Sequence, residues 1–139
     1  FRSFDCDYKA VVKPQIYSVL ESLSERYKIA LASSSSLNTI NTALAQADLR
    51  KYFTFIVSGE QFKESKPNPE IYLHTIKKLN VNKDEAIIIE DSSKGILAAN
   101  RAGIKVLALK DDKFGLDQSQ ADIIIDELND IIKLIEKGA

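Results

Sequence analysis

Apolar positions follow two alternating rhythms along this chain. Between positions 14 and 27 they fall at Ile16, Val19, Leu20 and Leu23, the spacing of one helix face, with Pro14 suited to a first turn. Ile29, Ala30, Leu31 and Ala32 then form a short unbroken run ended by four serines, which predicts a buried strand entering a loop. Ser36 is placed to cap a helix over Leu37, Ile40, Leu44 and Ala47. Residues 53–57, aromatic and β-branched, predict a second strand stopped by Ser58 and Gly59. Pro67 and Pro69 make 60–68 a loop that opens a helix carrying Ile71, Tyr72, Ile76 and Leu79. Residues 86–89 are apolar without alternation, the mark of a strand covered on both faces, and polarity switches at Glu90 and Asp91. Ser92 or Ser93 caps a helix through Ile96, Leu97 and Ala99 that Gly103 closes. Residues 105–109 predict a fourth strand, 110–120 a polar loop and 121–125 a last short strand. Leu128, Ile131, Ile132 and Ile135 mark the inner stripe of a final helix. This alternation predicts an α/β fold, a mainly parallel Rossmann-like sheet with helices on both faces.

With 139 residues the chain is the size of one domain with one core. Its 19 basic and 20 acidic side chains leave no excess positive charge for a nucleic acid or an anionic membrane, so neither is expected as a partner. No apolar run approaches the roughly 18 residues of a membrane helix, and no basic-then-apolar signal layout opens the chain. A cytoplasmic monomer is expected. Cys6 is the one cysteine and His74 the one histidine, which excludes an intrachain disulfide, a cysteine zinc cluster and a histidine-rich metal site. His74 sits one position off a helical apolar stripe and is expected to be partly exposed, and Cys6 has no basic cluster nearby in sequence to activate it. The chain starts at Phe1 and holds no methionine, so it is expected to be part of a longer protein.

Candidate chemistry lies just after the apolar runs, because an open parallel sheet collects ligands beyond the carboxyl ends of its strands. Ser33, Ser34 and Ser35 follow the first strand, Lys66 lies in the loop after the second, and Glu90 and Asp91 follow the third. Each alone has an ordinary reading: a capped connector, a solvated turn lysine, acidic residues complementing a helix dipole. Together they say more. Two adjacent carboxylates at a buried strand end repel, and a hard cation such as Mg2+, shared with a substrate phosphate, resolves the repulsion. Serine hydroxyls and helix-start amides suit the remaining phosphate oxygens, and a lysine neutralises the charge left over.

Three segments carry a family resemblance: Leu31-Ala32-Ser33-Ser34-Ser35, Ser65-Lys66-Pro67-Asn68-Pro69-Glu70-Ile71-Tyr72 and Ile89-Glu90-Asp91-Ser92-Ser93-Lys94-Gly95-Ile96. In that order they resemble the second, third and fourth motifs of the haloacid dehalogenase-like hydrolases, in the branch of β-phosphoglucomutase-like and phosphoglycolate phosphatase-like enzymes. The resemblance implies that Ser33 binds the transferring phosphoryl group, that Lys66 stabilises its charge and anchors the nucleophile, and that Glu90 and Asp91 hold Mg2+. It also implies a first motif with two aspartates, the first a nucleophile that forms an aspartyl-phosphate, the second a general acid and base. Asp5 and Asp7 have that spacing, but Lys9 stands where a small hydroxylated or β-branched residue belongs, and residues 1–4 do not read as a buried strand. Residues 1–13 are therefore expected to be a cap-domain remnant or hinge, 14–139 the core domain, and the nucleophile to lie upstream of Phe1.

The implied activity is Mg2+-dependent phosphate release from a small phosphorylated metabolite, a sugar phosphate by expectation. The alternative is a phosphotransferase of the β-phosphoglucomutase type. Mutases resembling this chain as far as Ser35 then carry Lys-Asn for a distal phosphate, where this chain has Ser36 and Leu37. A signalling receiver domain would place its acidic pair early and its lysine last, the reverse of the order here. A dinucleotide-binding domain would need a G-x-G-x-x-G that no predicted strand precedes. The chain by itself is predicted to release no phosphate from p-nitrophenyl phosphate or acetyl phosphate with Mg2+. Turnover that disappears in Asp5→Asn would instead put the nucleophile at Asp5.

Overall fold

The structure, a computed structural model, describes residues 15–136. Pro14 and the expected cap remnant, with Asp5, Cys6 and Asp7, lie outside the described residues. Helices and strands alternate as α1 (Gln15–Ser24), β1 (Ala30–Ser33), α2 (Leu37–Ala47), β2 (Phe55–Ser58), α3 (Glu70–Leu79), β3 (Ile87–Glu90), α4 (Ser93–Ala102), β4 (Lys105–Leu109), β5 (Ile123–Ile125) and α5 (Asp130–Glu136). β1 pairs with β2, and β3 with β4 and β4 with β5, every pair parallel, with Ser33 opposite Ser58 and Glu90 opposite Ala108.

Side chains alternate faces along a strand, and that period of two divides the core. Leu31, Ile89, Leu107 and Leu109 join one cluster with Ile16, Val19 and Leu20 of α1, Ile40 and Leu44 of α2 and Ile131 of α5. Their chain neighbours Ala32, Ile88, Val106 and Ala108 join the other, with Ile71, Tyr72 and Ile76 of α3 and Ile96, Ala99 and Ala102 of α4. Helices therefore cover both faces, as the unalternating apolar runs predict. An apolar cavity of about 320 Å³, lined by Ile16, Leu20, Ile29, Ile87, Ile89 and Ile131 among others, lies where β1 and β3 begin. No helix among the described residues is long and apolar enough to cross a membrane.

Several boundaries differ from the expectation for identifiable reasons. The Phe53 N–H closes a single turn onto the Arg50 carbonyl and the Thr54 N–H bonds the Ile29 carbonyl, so β2 starts at Phe55 although Phe53 is buried. Phe53 serves the core without joining the ladder. β5 starts late because Asp122 pairs with Val106 through its N–H and its carboxylate, a side chain standing in for a strand partner. α1 ends at Ser24, where the N–H groups of Arg26 and Tyr27 both take the Leu23 carbonyl. Of three left-handed residues ending helices, Gly103 was legible, whereas Asp48 and Asn80 use the tolerance of short polar side chains for that conformation. Ser36 caps α2 through the Thr39 N–H, and Ser92, not Ser93, caps α4 through the Gly95 N–H. β3 departs in the way that matters most: the polarity switch at Glu90 does not end the strand, and Glu90 is its buried last residue.

Candidate active site

Glu90 can be buried because donors from three directions meet its carboxylate. Oε2 accepts from Lys66 Nζ at 3.1 Å and from the Tyr72 hydroxyl at 2.6 Å. Oε1 accepts from the Asp91 N–H at 3.1 Å and from the Ser92 N–H and hydroxyl, each at 3.3 Å. Burial by itself raises the pKa of this carboxyl, since it disfavours the charged form. The Lys66 charge, the Tyr72 hydroxyl and the Asp91 amide outweigh it and hold the carboxyl below its ordinary range. The Lys66 and Glu90 side chains are 3% and 0% exposed, so the alternative weighed for Lys66 alone, a solvated turn residue, does not hold. Lys66, before a cis bond to Pro67, also lies over the Tyr72 ring, 5.3 Å from its centroid.

Gly95 makes room for this arrangement. A Cβ at position 95 would overlap the Glu90 carboxyl group, so the first turn of α4 closes over the ion pair only with glycine there. Tyr72 and Gly95 are two residues whose roles sequence reading missed. Tyr72 falls on an apolar stripe and reads as core, and the one available signal was that a buried tyrosine hydroxyl needs a partner.

The serine loop is held by the residues that end β2. Ser33 is fully buried and its hydroxyl accepts the Ser35 N–H at 3.2 Å, while Ser34 is exposed and Ser35 half-buried. The Ser58 hydroxyl donates to the Ser35 carbonyl. A Cβ on Gly59 would come within 3.1 Å of Ser34 Cα, so Gly59 lets the two backbones approach. Glu60 Oε1 accepts the Leu37 N–H at 2.8 Å, which puts a carboxylate on the first turn of α2. This is a braced loop rather than a flexible connector.

Asp91, just past β3, is exposed. Its N–H is on Glu90, and its carbonyl accepts from the Gln118 side-chain amide at 2.8 Å. Among the described residues no group of three or more His, Cys, Asp or Glu side chains is arranged to hold a metal. A hard cation still fits, because Mg2+ is commonly held by one or two carboxylates with water and phosphate completing its shell, and Asp91 offers such a carboxylate. The site thus brings Lys66, Glu90 and Asp91 into one bonded chain and braces Ser33, Ser34 and Ser35 from β2. His74 takes no part: half-buried on α3, it meets the Phe62 ring edge-on with centroids 5.3 Å apart.

Two outcomes follow from the buried pair. Glu90→Gln leaves Lys66 buried without its counter-charge and should cost about 3–5 kcal/mol. Because the Glu90 carboxyl is depressed in the fold, its contribution is complete above the ordinary value of 4.5 and disappears as pH falls through the lower folded value. Thermal melts from pH 7 to 3 should therefore fall less steeply for Glu90→Gln than for the wild type, and parallel curves would contradict this account. Gly95→Ala should cost about 1–3 kcal/mol by overpacking. That cost should shrink in a Glu90→Ala background, where the overlapping group is gone, and an unchanged cost would separate Gly95 from Glu90.

Comparison with known proteins bears on the family and the fold. A family model described as haloacid dehalogenase-like hydrolase matches residues 5–109. The phosphorylated carbohydrates phosphatase of Thermotoga maritima is 37% identical over 127 residues, 91% of this chain and 52% of that protein. The phosphoglycolate phosphatase of Aquifex aeolicus is 31% identical over 124 residues, 88% of this chain and 58% of that protein. The crystal structure of a putative β-phosphoglucomutase from Thermotoga maritima superposes with a TM-score of 0.81 at 32% identity, covering 90% of this chain and 60% of that one. The chain thus spans little more than half the length of the curated relatives it matches. With its fold, motif order and family match in agreement, the chain belongs to the haloacid dehalogenase-like hydrolases.

Proposed function

We propose that the protein carrying this chain is a Mg2+-dependent phosphatase of small phosphorylated metabolites, sugar phosphates in particular, and that this chain supplies the charge-neutralising and metal-holding half of its site. The observation that carries the reading is the buried Lys66–Glu90 pair bonded directly to the backbone of Asp91 at the carboxyl edge of the sheet. The names of the Thermotoga and Aquifex relatives, a phosphatase of phosphorylated carbohydrates and one of phosphoglycolate, support the substrate class.

In this reading Ser33, Ser34 and Ser35 receive the phosphoryl oxygens through hydroxyls and amides, and Lys66 offsets the charge that develops on them. Asp91 is a Mg2+ ligand. Glu90, which the family resemblance also makes a ligand, has its oxygens turned to Lys66, Tyr72 and the 91–92 backbone, and serves the metal by fixing Asp91. The bound cation would supply further neutralisation of the phosphoryl group. In this reading the aspartate that forms the aspartyl-phosphate is one that lies upstream of Phe1.

Phosphatase is favoured over mutase by Glu60. A mutase holds a bisphosphate intermediate in both orientations and needs a second anion site with its own positive charge. The first turn of α2, where related mutases carry Lys-Asn, presents Ser36 and Leu37, and the Leu37 amide is already taken by the Glu60 carboxylate. That turn repels a second phosphate.

In the full-length protein, Asp91→Asn should lower Mg2+-dependent turnover by about 100-fold or more, with Lys66→Ala similar in activity but also less stable. Wild-type turnover and metal dependence in Asp91→Asn would sink the reading. On β-glucose 1-phosphate with a trace of the bisphosphate, free phosphate should appear faster than glucose 6-phosphate. The reverse order would make the protein a mutase.

A further inference from the structure

The geometry points to Gln118 as a positioning residue for Asp91, an inference that rests on Asp91 being a metal ligand. Gln118 lies far along the chain in the polar loop after β4, yet it is buried at 7% exposure. Its amide nitrogen donates to two carbonyls, Asp91 and Leu109, both at 2.8 Å, and its amide oxygen accepts the Asp111 N–H at 3.0 Å. The β3–β4 ladder ends at Glu90 opposite Ala108, so Asp91, just past β3, and Leu109, the last residue of β4 and still paired with Ile125 on its other side, lie beyond its last rung. One primary amide adds a further rung between them by supplying two N–H donors in a plane to two carbonyls beyond the last β3–β4 pair. Only an amide side chain carries two donors and an acceptor in this form, since glutamate lacks the donors and leucine lacks both.

The consequence falls on Asp91. Its N–H is held by Glu90 Oε1 and its carbonyl by Gln118, so side chains grip the backbone on both sides of the Asp91 Cα. With both peptide planes fixed, the direction in which the carboxylate leaves the backbone is fixed as well. Lys66, Glu90, Asp91 and Gln118 form one bonded series, which ties the metal ligand to the phosphate-neutralising lysine on one side and to the β4 loop on the other. The same loop is anchored independently of Asp91, because the Asn100 side-chain amide donates to the Gln120 carbonyl at 3.1 Å. Asn100 therefore serves as a control that loosens the loop without touching the ligand.

The test uses the full-length protein with Mn2+ as the metal probe, its binding followed by electron paramagnetic resonance, and Mg2+-dependent hydrolysis of p-nitrophenyl phosphate measured alongside. Gln118→Met, close in shape but without donors, should weaken Mn2+ binding by about 10- to 100-fold, the range for residues that orient a ligand. It should raise the half-saturating Mg2+ concentration while leaving kcat at saturating metal within a few-fold of wild type. Asn100→Ala should leave Mn2+ binding unchanged. If Gln118→Met does not fold, Gln118→Asn, which keeps the donors on a shorter arm, should show the same weakening to a smaller degree. Wild-type Mn2+ binding in the folded Gln118 variant, or equal weakening in Asn100→Ala, would overturn the positioning role while Asp91→Asn still abolishes binding. If Asp91→Asn itself leaves Mn2+ binding intact, the metal reading fails first and the role of Gln118 falls with it.

Discussion

The buried pair of Lys66 and Glu90 is the interaction on which the site depends. Neither charge is tolerable alone in that position, since an unpaired buried ion is among the most destabilising things a fold can contain. Each requires the other, and the pair requires the Tyr72 hydroxyl, the 91–92 amides and the space left by Gly95. The loop after β2 is thereby tied to the end of β3, two sheet segments that do not bond each other directly among the described residues. Lys66 presents its charge at the carboxyl edge because the pair holds it there. A constraint that first appears electrostatic is thus also the connection that assembles the site.

Around it, the site is built mostly by side chains that hold backbone. Ser58 and Glu60 grip the serine loop, Ser92 caps α4, and Glu90 and Gln118 hold Asp91 from both sides. Under the proposed function, such contacts would keep these groups preorganised, so that little reorganisation is needed as charge develops on a phosphoryl group. The layered core supplies the rigid base. Alternation along β1, β3 and β4 divides leucine and isoleucine to one face from alanine and valine, with one isoleucine, to the other. The small residues of α4, Ala98, Ala99 and Ala102, pack in that second cluster.

The unused chemistry of the chain is consistent with this economy. His74 on α3 lies against the Phe55 and Phe62 rings and is half-buried, in line with the partial exposure that its position one step off the helical stripe implied. Asp111 turns its carboxylate to the Leu116, Phe114 and Lys113 amides and shapes its own loop, and the Leu116 bond leads in keeping its carboxyl acidic.

By itself the sequence determined the fold class, the order of elements and which residues gather at one edge, because these depend on periodicity and on strand ends, both local properties. The placement of Ser33, Glu90 and Asp91 at strand ends and of Lys66 in the loop after β2 was legible for that reason, and so were the caps at Ser36 and Ser92. What each of them touches was decided by tertiary structure alone. Glu90 reads as a polar stop yet completes β3, because its partners come from positions 66 and 72, which no local window contains. Tyr72 reads as core and Gln118 as part of a polar loop, and both acquire their roles only when the fold brings distant residues within hydrogen-bond reach. Burial is set by the whole fold. A charged or amide side chain can be buried only where the fold supplies every bond it would otherwise make to water, and that supply is a property of three dimensions.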